Sequence, residues 1–192
     1  MKISVRIVIT CVILTLPLVG MIARKQWTLE TGTAVLLETQ PVDPRSLFRG
    51  DYVRLNYIVS DLDLEKLAGD LEFTRYDDVY VVLTEAERYW EARAVYQRRP
   101  QLAENQVALK GKVKYVQTSR WNPETKKSEP VKSIHVTYGI ENYFVPEGEG
   151  RGLERPPAGS KVEMLMAVDR FGQAGIKAVL VNGEERYRET LF

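Results

Sequence analysis

Gly50–Tyr57, GDYVRLNY, opens a strand straight after the compact loop Pro41–Arg49, PVDPRSLFR. Val53, Leu55, Tyr57 and Val59 alternate onto one face, while Tyr52, Arg54 and Asn56 take the other. Side chains on a strand point to opposite sides in turn, so this pattern predicts a strand half buried against a core. Gly50 supplies the freedom for positive φ, Asp51 bonds neighbouring amides, and together they make the turn that starts it.

The same period runs outward in both directions. Before the loop, Val35–Leu37 in GTAVLLET reads as a first strand, and Pro41, Pro44 and Gly50 bound the loop itself. After the motif, Ser60 followed by Asp63 fits a local cap, which predicts a short helix through Leu62, Leu64 and Leu67 ended by Gly69. Then come Asp78–Thr84 and Tyr89–Tyr96, separated by the polar EAER of a hairpin. A second hairpin has arms Val107–Ser119 and Val131–Tyr138, joined by the loop RWNPETKKSEP. A closing meander takes Lys161–Val168, the turn FGQAG, Ile176–Val181, Asn182-Gly183 and Glu184–Tyr187. Asn-Gly between alternating strands is a strong hairpin signal, because both residues accept positive φ. The expected fold is therefore mainly β, an antiparallel β sandwich or barrel with one short helix, preceded by a single N-terminal transmembrane helix.

That transmembrane helix is Ile7–Ala23, IVITCVILTLPLVGMIA, uncharged and flanked by Lys2 and Arg6 on one side and Arg24 and Lys25 on the other. As a helix it extends about 26 Å, enough to cross a bilayer's hydrocarbon. A cleaved secretory signal is the alternative, but Met21 spoils the small-x-small site it needs. The short cationic leader favours the N-terminus inside, which places residues 26–192 outside the cytoplasmic membrane as the β domain and leaves residues 1–25 as the signal anchor. Trp27, just past the apolar run, suits the headgroup level. The first 25 residues hold four of the 27 basic residues and none of the 26 acidic ones, so the remainder carries a net charge of −3. Such a balance excludes a nucleic-acid footprint. The only cysteine, Cys11, lies in the apolar run, so the β domain has neither a disulfide nor a thiol nucleophile.

PVDPRSLFRGDYVRLNY resembles the bacterial GDYXXLXY proteins, with every fixed letter of that name present at Gly50, Asp51, Tyr52, Leu55 and Tyr57. YGIENYFVPEGEG, Tyr138–Gly150, is similar to the family's second recurring block, and the anchor and length agree. The resemblance implies a membrane-anchored envelope protein, often encoded beside multi-spanning membrane proteins, and it supplies no catalytic residues.

Leu47, Gly50, Asp51 and Val53 are also similar to part of the type I signal peptidase pattern, but that pattern puts its serine where this chain has Val42. No serine-lysine pair follows, so the shared letters are turn chemistry. In the loop, Asp43, Arg45, Arg49 and Asp51 alternate in sign. With Tyr52 they form either a clamp for a carboxylate or phosphate, or a loop tied together by its own ion pairs. Glu141, Glu147, Glu149 and Glu154 gather around PEGEGRGLE without the Asp/Asn ladder of a calcium loop, and Arg151 and Arg155 neutralise them locally. His135 is the only histidine and reads as a strand-surface residue, which leaves no zinc site or serine triad in view. Trp90, Tyr89, Tyr96, Tyr115, Trp121 and Tyr143 are numerous enough for either a core or an aromatic groove for sugar or peptide, and their alternation within strands favours the core for most of them.

No cofactor, metal or nucleic acid is expected. The functional expectation is a non-enzymatic β domain binding a membrane-protein partner, which the resemblance implies to be multi-spanning, or an envelope polymer, with Asp43, Arg45, Arg49, Asp51, Tyr52, Glu147 and Glu149 as the binding residues and residues 7–23 in the bilayer. The alternative is an extracytoplasmic hydrolase using carboxylates such as Asp51, Glu147 or Glu149.

Overall fold

The structure, a computed structural model, describes residues 3–40, 52–123, 126–144 and 160–189. It begins with α1 (Ile3–Thr31), which carries Pro17 and runs unbroken past residue 25. From Ile7 onward the helix is long and apolar enough to cross a membrane. Leu14, Leu16, Leu18 and Met21 are exposed, and no protein surface covers them. One glycine, Gly32, separates the helix from β1 (Thr33–Gln40).

The strands that follow are β2 (Tyr52–Arg54), β3 (Asn56–Tyr57), β4 (Asp61–Asp63), β5 (Ala68–Gly69), β6 (Asp78–Glu85), β7 (Trp90–Tyr96), β8 (Gln106–Asn122), β9 (Lys127–Thr137), β10 (Asn142–Phe144), β11 (Val162–Val168), β12 (Ala174–Val181) and β13 (Glu184–Arg188). They build a five-stranded sheet in the order β13-β12-β11-β1-β3, a six-stranded sheet in the order β4-β9-β8-β6-β7-β5, and a two-stranded ladder of β10 with β2. Every pairing is antiparallel except the short one between β5 and β7. The inner faces of the two large sheets share one core. Val35, Leu37, Met164 and Met166 come from the first sheet, and Val79, Val81, Leu83, Leu109, Val113, Ile134 and Val136 from the second. Alternate apolar residues meet there, which makes the fold a sandwich, one of the two architectures that the period-two pattern allows.

Two connections tie the sheets along their edges. Between Tyr57 and Asp61 the chain leaves the first sheet and enters the second through a single 3₁₀ turn, Ile58–Ser60. On another side the turn after β11 docks on β8, where the Lys110 amide donates to the Gly172 carbonyl at 2.8 Å. Gly172 has φ +85°, and a Cβ there would lie 2.8 Å from the Ala108 carbonyl oxygen, so only glycine fits both the turn and the approach. The Asn182-Gly183 hairpin is present as expected, with φ of 54° and 83°.

Three expectations need correction. The helix predicted through Leu62–Leu67 is absent: Leu62 and Leu64 are both buried with Asp63 between them, a strand period. Leu62 pairs with Ile134, and the Leu64 amide extends that ladder to the Lys132 carbonyl at 2.8 Å. The free edge of β9 outweighs the local cap, and the Asp63 carboxylate instead accepts from the Glu65 amide in the turn. Secondly, most of the loop expected at RWNPETKKSEP is strand, since Arg120 pairs with Glu129 and Trp121 with Ser128. Thirdly, the motif strand is broken at Leu55, where β2 and β3 take different partners.

Candidate functional site

The two sequence blocks singled out above meet. β2, inside GDYVRLNY, pairs with β10, inside YGIENYFVPEGEG, in the register Arg54–Asn142, Val53–Tyr143 and Tyr52–Phe144. The Leu55 amide continues the contact to the Glu141 carbonyl at 2.7 Å. Two tyrosines then lock the blocks reciprocally. The Tyr57 hydroxyl donates to the Ile140 carbonyl at 2.6 Å, and the Tyr138 hydroxyl donates to the Val59 carbonyl. Tyr57 is completely buried, and Leu55 is buried beside it. Glu141 shapes the turn between them by accepting from the Tyr138 amide and, at 3.0 Å, from the Gly139 amide.

The chemistry of those phenols follows from burial. Removal from water disfavours phenolate, and the Glu141 carboxylate adds repulsion, so both Tyr57 and Tyr138 are held well above the ordinary tyrosine range. They are neutral donors to backbone carbonyls, which is scaffold work. Beside them, Asp61 faces His135 across β4 and β9, with its Oδ1 2.6 Å from His135 Nδ1. The imidazole stacks on Tyr115 at 4.8 Å between centroids.

Of the expected binding residues, Asp43, Arg45, Arg49, Gly50, Asp51, Glu147 and Glu149 lie outside the described residues, as do Glu154, Arg151 and Arg155. Tyr52 is placed by its backbone in β2. That placement is informative: Tyr52 directly follows residues 41–51, Phe144 directly precedes residues 145–159, and the two are register partners. Both segments therefore leave the described structure at one point of one ladder. Phe144 there is 76% exposed. The expected aromatic core is corrected: of the six aromatics named, only Tyr143 is buried, whereas Trp121 is 62% exposed and Tyr115 also faces solvent. Trp121 lies on the outer half of β8, where the hairpin of β8 and β9 carries exposed side chains on both faces.

A second cluster is legible only as an oddity, a glutamate within the apolar strand VEMLMAV of β11. Glu163 is completely buried. Its Oε1 accepts from Arg88 Nε at 2.9 Å, from Arg88 Nη2 at 2.6 Å and from the Tyr89 hydroxyl. Burial and the bond to Glu163 push the Tyr89 hydroxyl up to about 12. Oε2 makes no hydrogen bond among the described residues. Arg88 and Tyr89 sit just before β7, so this pair staples the hairpin of the six-stranded sheet onto the five-stranded one. Among the described residues no group of three or more His, Cys, Asp or Glu side chains is arranged to hold a metal ion.

The N-terminal helix α1 has its own socket. Thr28 is buried, and its hydroxyl donates to Asp169 Oδ2 at 3.1 Å. The other oxygen of Asp169 accepts from the Phe171 and Gln173 amides, fixing the turn against which the helix rests.

No curated protein and no solved structure matches the chain. A family model does match, over residues 14–179, from within α1 to β12 and across both interlocked blocks. The chain belongs to the GDYXXLXY protein family.

Proposed function

We propose that this is a single-pass protein of the bacterial cell envelope, anchored in the cytoplasmic membrane, whose β domain lies outside that membrane and binds a membrane-protein partner or an envelope polymer without catalysing a reaction. The observation that carries the reading is the pairing of Tyr52 with Phe144. It brings the residue after segment 41–51 beside the residue before segment 145–159, which supports a reading in which Asp43, Arg45, Arg49 and Asp51 act together with Glu147 and Glu149 in binding. The rest of both blocks is occupied in holding that junction, through Tyr57 and Tyr138. Loops presented by a rigid scaffold are where recognition usually sits. Arg45 and Arg49 supply forked donors for carboxylate or phosphate groups of the partner.

The test uses the anchored protein in its own membrane, with a photo-reactive side chain at Phe144. Specific adducts are expected that fall at least about tenfold with Arg49→Ala, and that remain with Arg93→Ala, an exposed arginine of β7. Adducts unchanged by Arg49→Ala, or none at all, would overturn the reading.

A further inference from the structure

Between the outer end of α1 and the strands β12 and β13 lies a cavity of about 290 Å³. Its helix wall is Ile22, Lys25, Gln26, Leu29 and Glu30, a spacing that puts all five on one face. Its other wall is Lys177, Arg188 and Glu189. Leu29 closes the floor against β12, where a Cβ on Gly175 would lie 2.8 Å from the leucine's Cδ2.

The level of this cavity follows from the helix. The apolar run ends at Ala23, so Ile22 is at the hydrocarbon edge and Lys25 to Glu30 rise through the headgroup region, at about 1.5 Å per residue. Trp27, 70% exposed at the same height, suits that level. The charges are balanced and specific. Arg188 is taken up by the Glu185 carboxylate, which its Nε reaches at 2.8 Å. Glu30 accepts from the Gln26 amide at 2.6 Å. Lys25 and Lys177 have no ion pair among the described residues, and neither has the carboxylate of Glu189. The lining therefore carries two ammonium groups without an ion pair and two carboxylates, one of each on the helix wall and one of each on the strand wall, with the apolar Ile22 at the membrane rim.

We infer that this cavity seats one zwitterionic aminophospholipid of the surrounding bilayer. Its phosphodiester lies between Lys25 and Lys177, its ammonium donates to Glu30 and Glu189, and its acyl chains descend along Ile22. An anionic headgroup without an amine would satisfy the lysines and leave both carboxylates facing negative charge. A choline headgroup would present no N–H donor to them. The inference rests on the membrane-anchored reading.

The full chain would be reconstituted into bilayers of equal parts phosphatidylethanolamine, phosphatidylglycerol and phosphatidylcholine, floated on a density gradient, then released gently and weighed by native mass spectrometry. One retained phosphatidylethanolamine is expected, enriched roughly tenfold over either competitor, as suits charge-assisted hydrogen bonds. Lys25→Gln with Lys177→Gln should abolish retention, and Glu189→Gln should remove the preference for the amine while phosphate binding persists. Flotation with no enrichment, or with enrichment of phosphatidylglycerol, overturns this inference alone; failure to float overturns the membrane reading and the inference with it. Circular dichroism of the variants, whose changed side chains lie outside the core, verifies the fold.

Discussion

Tyr57 is the residue at which motif and fold coincide. It is buried completely, its ring fills the space between the sheets, and its hydroxyl satisfies a carbonyl 83 positions away. Tyr57→Phe keeps the ring but leaves the Ile140 carbonyl without that donor, so a loss of about 1–3 kcal/mol is expected in chemical denaturation of the detergent-solubilised protein. Tyr115→Phe, on an exposed ring, should change stability far less. The same burial predicts a pH response. Tyr57 and Tyr138 are raised well above 10, and Tyr89 to about 12. A group whose folded pKa is raised contributes its stability in full below the unfolded value and loses it as pH climbs toward the folded one. Stability is therefore expected to be flat with respect to these three groups up to about pH 10 and to fall from there upward, the Tyr89 contribution being lost by about 12. Phenolate absorbance near the end of that window should appear together with loss of the β circular dichroism signal. Phenolate formation by Tyr57 in the intact fold, read as the absorbance difference between the protein and Tyr57→Phe, would contradict the assignment. Leu55 and Tyr57 were legible as core from alternation alone. Glu163 was legible only as an anomaly, because its partner Arg88 lies 75 positions away and nothing local announces it.

The long hairpin of β8 and β9 shows two regimes within single elements. Its inner half is buried in the sandwich, with Val107, Leu109, Val113, Ile134 and Val136 in the core. Its outer half leaves the sandwich. Arg120, Trp121 and Lys127 are exposed, and the ribbon is held by cross-strand pairs such as Asn122 with Glu129, whose side chains bond at 2.8 Å. That half was invisible to a reading based on burial period, since neither face is buried. Pro130 is tolerated there because β4 pairs only with Ser133–His135, so the outer ribbon has an open edge. Replacing residues 120–129 by Asn-Gly should shift Tm by less than about 2 °C, because no core area is removed. A shift of several times that size would show that the arm packs on something. β4 teaches the converse lesson. A cap pattern of the right letters was overridden by an open strand edge and two leucines spaced for a strand.

At the scale of the molecule, the helix and the sandwich are joined by one glycine and by the socket of Thr28 on Asp169. The β domain therefore stands directly at the end of the apolar helix, with no extended linker between them. Its orientation is open to a direct test. In a Cys11→Ser background, Glu104→Cys on an exposed turn should react with a membrane-impermeant maleimide on intact cells. Protection until the cells are lysed would place the domain inside and reverse the proposed topology.

By itself the sequence determined the apolar helix, most of the strands and the antiparallel hairpins, because each is a property of neighbours: an uncharged run, a period of two, an Asn-Gly turn. The choice between sandwich and barrel, the crossing of the chain at Ile58–Ser60 and the seat of Glu163 were decided only by tertiary structure. So was the fate of GDYVRLNY, whose alternation predicted one strand but whose two halves pair with β10 and with β1. Those outcomes depend on which distant edge is free and which buried polar group finds a partner, and a single buried hydroxyl reaching across 83 residues settles such a choice in a way no local pattern encodes.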